Sequence, residues 1–216
     1  MSQRTTNYLG LALDDYRAAR ILLRGGLLAQ GVALASTAVE KELKAVLALK
    51  GFYTKKHLNT GLLGMANQHF PGFKTSVDSD FIKFLGKGFD LRYASVDGPG
   101  YTIVINQHRT LMALDLTMLT IDSGITLRLN GEVHKTPLQN VIETKGPAIY
   151  SDNVPLKAIS LEELSQRPNK MFELRVGENL RTLTATYETE GLNIVGKFCK
   201  TTDMDFNKRQ FYLARG

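Results

Sequence analysis

The chain has 216 residues and a mass of 24.0 kDa, of which 43% are hydrophobic, 22% charged and 8% aromatic, with a mean hydropathy of -0.14. These values are those of an ordinary globular protein and exclude disordered, collagen-like and low-complexity chains. Lys and Arg number 27 against 21 Asp and Glu, so the net charge is +6; this balance permits binding to nucleic acid or nucleotides but is equally compatible with simple solubility.

The use of cysteine and histidine argues against a disulfide and against a metal site. Cys199 is the sole cysteine, and we expect it to be an inert thiol in a strand. The four histidines are scattered without the spacing of zinc ligands: His57, His69, His108 and His134. We therefore expect no metal and no cofactor, and the cysteine usage fits a reducing cytoplasm.

No targeting or membrane segment is recognisable in the sequence. Asp14 and Asp15 interrupt the first apolar stretch, which excludes a signal peptide there. The run that most resembles a membrane span, residues 25–39, has 15 residues without charge, which is fewer than the roughly 20 that a span needs. We expect a cytoplasmic protein without membrane contact.

Apolar residues at three- and four-residue spacing predict that the first 125 residues are helical. The predicted helices lie at about residues 7–23, 28–50, 59–69, 80–89 and 102–119. Gly51 is the expected C-cap of the second helix, Ser79 or Asp80 the N-cap of the fourth, and His108 is expected on a solvated face of the last. The alanine-rich second helix and the apolar last helix offer surface for a homodimer.

Acidic residues of the first two helices allow two interpretations. Asp14, Asp15 and Glu40 are expected either to meet as metal-binding carboxylates or to form a salt-bridged surface. The basic residues available for the second interpretation are Arg17, Arg20 and Lys44. The second interpretation is favoured, because such charges commonly pair on helix surfaces.

After residue 124 the pattern changes to that of strands. Asn130–Gly131 between alternating segments predicts a hairpin with a type I′ turn, and Ser160 with Glu163 predicts a capping box. Further strands are predicted over residues 171–176, 183–188, 192–200 and 210–214. The predicted class is α+β, with an N-terminal antiparallel bundle of four or five helices (1–124) followed by a smaller, mostly antiparallel β domain (125–216).

Four segments carry a family resemblance. Ser36–Leu47 reads STAVEKELKAVL, similar to an AxEKxLKAxL signature, and follows a matching first-helix segment at residues 13–23. Lys56–Asn59 (KHLN) lies near the position of a THDL motif, and Leu91–Tyr93 (LRY) precedes the last predicted helix. Over about residues 7–120 the chain resembles the HEPN family (higher eukaryote and prokaryote nucleotide-binding), whereas the second half resembles no family.

The resemblance implies a helical bundle that often dimerises, from toxin–antitoxin, phage-defence or RNA-processing systems. Many members are metal-independent ribonucleases with an Arg-x(4–6)-His motif at the last helix. Counting from Arg92, the histidine positions hold Asp97, Gly98 and Pro99, none of which supplies an imidazole. Arg128 and His134 have the right spacing, but they lie across the predicted hairpin and are expected to be an exposed pair.

RNA cleavage requires a base, an acid and cationic stabilisation of the phosphorane. Lys55, Lys56, His57 and Arg92 supply these types if their loop meets the entrance to the last helix, with Tyr93 as a stacking platform. Alternatively His57 caps or packs on the next helix, Arg92 pairs with a nearby acid or a helix C-terminus, and Tyr93 belongs to the core.

These features favour binding over catalysis. The leading hypothesis is a non-catalytic or degenerate HEPN-like protein that binds nucleotide or RNA, or acts as a homodimeric interaction module with a cognate protein partner. One alternative is a ribonuclease whose non-standard active site uses Arg92, His57 and Lys56. The other alternative is a structural protein that docks a partner through its β domain.

Overall fold

The computed structural model describes residues 3–72, 76–91, 102–177 and 182–189. Within these ranges lie eight helices: α1 (Gln3–Arg24), α2 (Leu28–Leu49), α3 (Thr60–His69), α4 (Ser79–Asp90), α5 (Gln107–Ser123), α6 (Pro137–Glu143), α7 (Pro147–Tyr150) and α8 (Leu161–Ser165). The described strands are β1 (Thr102–Asn106), β2 (Leu127–Leu129), β3 (Glu132–His134), β4 (Asn169–Val176) and β5 (Thr182–Thr189). The class is α+β as predicted, with most of the helix in the N-terminal half.

Helix α2 is the centre of the helical half. A short turn after α1, in which Gly26 has a φ of 83°, reverses the chain, and α2 then packs against α1, α3, α4 and α5. Ala35, Ala38 and Ala45 are fully buried, because small side chains let the neighbouring helices approach closely. The alanine stripe is therefore covered within one chain and is not a surface for a second protomer.

The two helices after α2 begin with side-chain caps. The Asn59 side chain accepts a hydrogen bond from the Leu62 N–H at 2.9 Å and starts α3. Helix α4 starts slightly earlier than expected, because Asp78 and not Ser79 or Asp80 is its N-cap. A Cβ at Gly88 would lie 2.1 Å from Val32 Cγ1, so this glycine permits the close packing of α4 on α2.

The prediction that the last helix begins near residue 102 is wrong. Residues 102–106 form β1, which pairs antiparallel with β4 from Thr102↔Arg175 to Asn106↔Met171. The sequence Thr-Ile-Val-Ile is β-branched throughout, which favours a strand, and the Asn106 side chain then caps α5.

The sheet order is β1-β4-β5, so a strand from before residue 124 joins two from after it. The division at residue 124 stays a prediction.

The hairpin at Asn130–Gly131 is confirmed. These residues have φ values of 53° and 86°, as a type I′ turn requires. Arg128 is opposite Val133 and His134 is opposite Leu127, so the pair with ribonuclease-like spacing lies on different, exposed strands. The capping box at Ser160 is also confirmed, in α8.

Several predictions fall on residues for which no structure is described. They concern Cys199, Arg92, Tyr93, Asp97 and the strands predicted at 192–200 and 210–214.

A buried ion pair fastens α1 to α5. Arg20 is 0% exposed and donates to the Asp115 carboxylate, to the Ser151 carbonyl and, at 3.0 Å, to the Ala148 carbonyl. The Tyr16 hydroxyl donates to the same carboxylate at 2.7 Å. The expectation that Arg20 joins a surface salt bridge is therefore wrong. Burial raises the pKa of Asp115 to about 6, while the Arg20 charge and the Tyr16 hydrogen bond oppose that rise, so the carboxylate is ionised at neutral pH.

Gln107, at the start of α5, joins three elements. Its side-chain amide donates to the Leu23 carbonyl at 2.7 Å, and its carbonyl oxygen accepts from the Lys170 N–H of β4 at 3.1 Å. His108 beside it is buried, and its N–H donates to the Asn169 side chain at 3.2 Å. The expected solvated position of His108 is thus wrong, and burial lowers the pKa of its imidazole.

A pair of carboxyl groups lies between α2 and the end of α5. Glu42 and Asp122 are both buried, and Glu42 Oε1 and Asp122 Oδ1 have no hydrogen-bond partner among the described residues. Burial, together with the Asp122 charge, raises the pKa of Glu42 well above its ordinary value. Burial also raises the pKa of Asp122, against opposing hydrogen bonds from Thr136 and Gln139. The pair therefore holds a proton at a pH where exposed carboxyl groups have lost theirs.

We predict that Asp115→Asn lowers the free energy of unfolding by about 3–5 kcal/mol, because it leaves the Arg20 guanidinium buried without a countercharge. The matched control is Asp14→Asn, since Asp14 is exposed and 3.7 Å from Arg17; it should cost less than about 1 kcal/mol. Urea unfolding followed by circular dichroism gives both values. Equal losses in the two variants would contradict the structural role of the buried pair.

We predict that the free energy of unfolding falls as the pH rises above about 4.3, the ordinary pKa of an unfolded glutamate. An unfolded glutamate loses its proton near pH 4.3, whereas folded Glu42 keeps it, so the folded state binds more protons and stability decreases with pH. Glu42→Gln, which stays neutral, should flatten this decrease. Urea unfolding at several pH values measures it, and parallel curves for the parent and the variant would refute it.

Candidate functional site

Glu40 of α2 organises the loop that leads to α3. One carboxylate oxygen accepts from Lys44 Nζ at 2.7 Å, and the other accepts from the Leu58 N–H at 2.9 Å. The Leu58 bond joins side chain to backbone, so it fixes the loop and not only a neighbouring side chain. We call residues 54–58 the Glu40 loop. Its position depends on a glutamate in the middle of the signature segment Ser36–Leu47.

His57 is an exposed, chemically active group of this loop. Its Nδ1 is 3.4 Å from the second Glu40 carboxylate oxygen, and its side chain is 76% exposed. The imidazole stacks on Phe89 of α4, with ring centroids 5.8 Å apart. The expectation that His57 caps the next helix is wrong, because Asn59 does so. A carboxylate and an aromatic ring thus orient an imidazole that solvent can reach.

Lys55 and Lys56 lie beside this histidine and are exposed. The Lys56 N–H donates to the Thr54 hydroxyl at 3.1 Å, which helps to shape the loop. No acidic side chain in the described part of the chain is within ion-pair distance of either lysine. Both ammonium groups are consequently available to an external anion.

The structure brings together Lys55, Lys56 and His57 of the predicted site residues. Arg92 and Tyr93, the other two, lie outside the described residues, and whether they meet this loop stays a prediction. Phe89, three residues before Arg92 in sequence, does contact His57. From the sequence, Glu40 is expected only as a metal-binding or salt-bridge carboxylate, although its place in the signature segment is a signal for a larger role.

The acidic residues between α1 and α2 form ion pairs. Asp15 accepts from Lys41 Nζ and from the Thr37 hydroxyl, both at 2.6 Å, and Asp14 lies 3.7 Å from Arg17. With Glu40 bound to Lys44, the salt-bridged interpretation is confirmed for these acids. Across the described ranges, no three His, Cys, Asp or Glu side chains are grouped so as to hold a metal ion.

Chemically, the arrangement offers two ammonium groups and an imidazole whose Nδ1 faces a carboxylate. Such an imidazole has its Nε2 available to accept or donate a proton, because the carboxylate favours a proton on Nδ1. Groups of these types can also hold a phosphate without reacting, since phosphate oxygens accept hydrogen bonds from cations. Geometry at this loop therefore allows both binding and acid–base chemistry.

Residues 7–95 match the family model described as "HEPN domain", which spans most of α1 and all of α2, α3 and α4. The N-terminal part of the chain is therefore a HEPN-like helical domain, as the signature segment predicted. This domain associates the chain with nucleotide- or RNA-related or toxin-like functions. Comparisons with curated proteins and with solved structures give no significant match. Within the described ranges, no helix is long and apolar enough to cross a membrane.

Proposed function

We propose that this chain binds RNA or a nucleotide through the Glu40 loop and that its HEPN-like domain is non-catalytic or degenerate. The observation that carries the proposal is the exposed His57, held between Glu40 and Phe89 and next to two exposed lysines. A loop tied to α2 through Leu58 N presents these groups in one arrangement, so little ordering entropy is lost on binding. Arg92 and Tyr93 are the further ligand-binding residues of the proposal.

Loss of cleavage is inferred from the sequence after Arg92. The family positions for the second catalytic group hold Asp97, Gly98 and Pro99, so an imidazole is absent there. Lys55, Lys56 and Arg92 retain the positive charges that a phosphate needs. These three cations can bind a phosphodiester. The imidazole that would be one of the two proton-transfer groups for cleavage is missing from the family position.

We predict that Lys55→Ala/Lys56→Ala weakens binding of a short RNA or of ATP about tenfold, because two phosphate contacts are lost. The control is Arg128→Ala/Lys135→Ala, which removes two positive charges from exposed residues in and beside the β2–β3 hairpin. Fluorescence anisotropy with labelled RNA and labelled ATP, at one fixed salt concentration, measures both. The control should change the affinity less than about twofold.

Two results would overturn the binding site. If the parent protein binds neither RNA nor ATP, the proposed function is wrong. A Lys55/Lys56 variant that binds as the Arg128/Lys135 control does would show that charge in general, and not this loop, attracts the ligand.

A metal-independent ribonuclease with a non-standard active site is the second candidate, favoured by the 3.4 Å contact between His57 and Glu40. In this case His57 is the general base or acid and Arg92 stabilises the phosphorane. We predict that His57→Ala and Arg92→Ala each slow the degradation of labelled RNA in EDTA at least a hundredfold. His134→Ala is the control, since His134 is an exposed histidine 4.0 Å from Glu132. Unchanged degradation by His57→Ala would eliminate this candidate.

The wider proposal is that the protein forms a homodimer, lies in the cytoplasm and acts with a cognate protein partner in a toxin–antitoxin or phage-defence setting. Exposed Leu11 and Ile21 on the outer side of α1 support a contact between protomers. A third candidate function, docking of a partner through residues 125–216, is supported by Val133 and Leu183, which are 64% and 65% exposed.

A further inference from the structure

A second exposed surface begins where α2 ends. Phe52 and Tyr53 follow α2 and are 48% and 50% exposed, which is unusual for two consecutive aromatic residues. The first turn of α1 and the end of α3 border them. We call Arg4, Lys50, Phe52, Tyr53 and His69 the aromatic surface.

Cationic and aromatic side chains contact one another at the aromatic surface and beside it. The Arg4 guanidinium carbon is 4.7 Å from the Tyr53 ring centroid, and the His69 ring stacks on Phe52 at 4.1 Å with an interplanar angle of 23°. Lys50 Nζ is 5.3 Å from the centroid of Phe70. These contacts hold the rings in place while half of each remains accessible, so an incoming flat group meets rigid partners.

The stretch of sequence that contains these rings carries charge of one sign. From Lys50 to Val77 the sequence contains four lysines, two histidines and no Asp or Glu. The carbonyl end of α2 carries partial negative charge, which Lys50 offsets in part. Arg4 and Lys50, both exposed, supply the positive charge of the aromatic surface, and Lys55 and Lys56 follow on the neighbouring loop.

We propose that the aromatic surface binds single-stranded nucleic acid, with bases stacked on Phe52 and Tyr53 and phosphates at Arg4 and Lys50. Bases of a single strand expose their faces and stack on aromatic side chains irrespective of sequence, whereas those of a duplex are already stacked. Lys55 follows Tyr53 by two residues, so the strand continues onto the Glu40 loop. This proposal rests on the function proposed above and specifies its ligand as an oligonucleotide.

A polymer fits this surface better than a single nucleotide does. The segment from Lys50 to Lys56 covers up to about 20 Å if extended and presents two rings and three lysines. A single nucleotide has one base and one phosphate or polyphosphate group, so it can contact only one of the two rings and some of the three lysines. A protein partner would bury the two rings but has no need of cations placed against them.

The test uses Phe52→Leu/Tyr53→Leu, which keeps the apolar character and removes the flat faces, and Tyr53→Leu alone as the milder variant. The probes are a labelled single-stranded RNA of about ten nucleotides, its duplex, and labelled ATP. We expect the double variant to bind the single strand at least tenfold more weakly and ATP within twofold of the parent. Leu27→Ala/Leu116→Ala, which removes two exposed apolar side chains elsewhere, should match the parent with all three probes.

The outcomes separate this inference from the function beneath it. If the parent binds the single strand and both aromatic variants bind it equally well, the inference fails and the Glu40-loop function stands. If the parent binds ATP but no RNA, or binds duplex as tightly as single strand, the inference fails again. If the parent binds none of the probes, both fail. A changed sedimentation mass with unchanged RNA affinity would make the surface a protein interface and overturn the inference.

Discussion

The buried pair of Arg20 and Asp115 is the interaction on which the arrangement of the two halves depends. The Arg20 guanidinium satisfies a carboxylate of α5 and the carbonyls of Ala148 and Ser151, so one side chain of α1 holds both α5 and the α7 segment. Neither charge is tolerable alone at full burial, because an isolated ion in a protein interior is strongly disfavoured. The pair therefore specifies how α1 and α5 pack more than it adds to net stability.

The candidate site also depends on one carboxylate, that of Glu40. Glu40 lies on α2, which the rest of the helical half surrounds, so its carboxylate is a fixed point. Through Leu58 N it sets the course of the Glu40 loop, and through His57 Nδ1 it orients the one imidazole there. The functional groups thus lie on a loop, while the rigidity that positions them comes from the helix.

Local patterns in the sequence predicted local structure well. The Ser36–Leu47 helix, the Asn130–Gly131 hairpin and the α8 capping box follow from periodicity and from side-chain chemistry within a few residues. Periodicity does not identify strand β1, because a run of about five residues is too short to distinguish a strand from part of a helix. Its four consecutive β-branched residues, 102–105, were the signal for a strand.

Long-range pairing could not be predicted in the same way. Arg20 follows Tyr16 by four residues and so lies on the buried stripe of α1, which was a signal for burial, but Asp115 is 95 residues away and nothing local identifies it as the partner. Likewise the contact of His57 with Phe89 depends on how α4 packs against α2, which the local sequence does not specify.

The distribution of charge explains more than its total does. Residues 1–125 carry 14 basic and 10 acidic side chains, and residues 50–77 alone contribute +4, so the other residues of that half balance at ten of each. At physiological salt the Debye length is about 8 Å, so a bound phosphate interacts mainly with nearby charges and little with the net charge of the protein. Because this acid-free segment includes the Glu40 loop, Phe52 and Tyr53, positive potential, an oriented imidazole and exposed rings occur on one stretch of chain. Solubility alone requires charge spread over the surface, and it does not account for that concentration beside accessible aromatic rings.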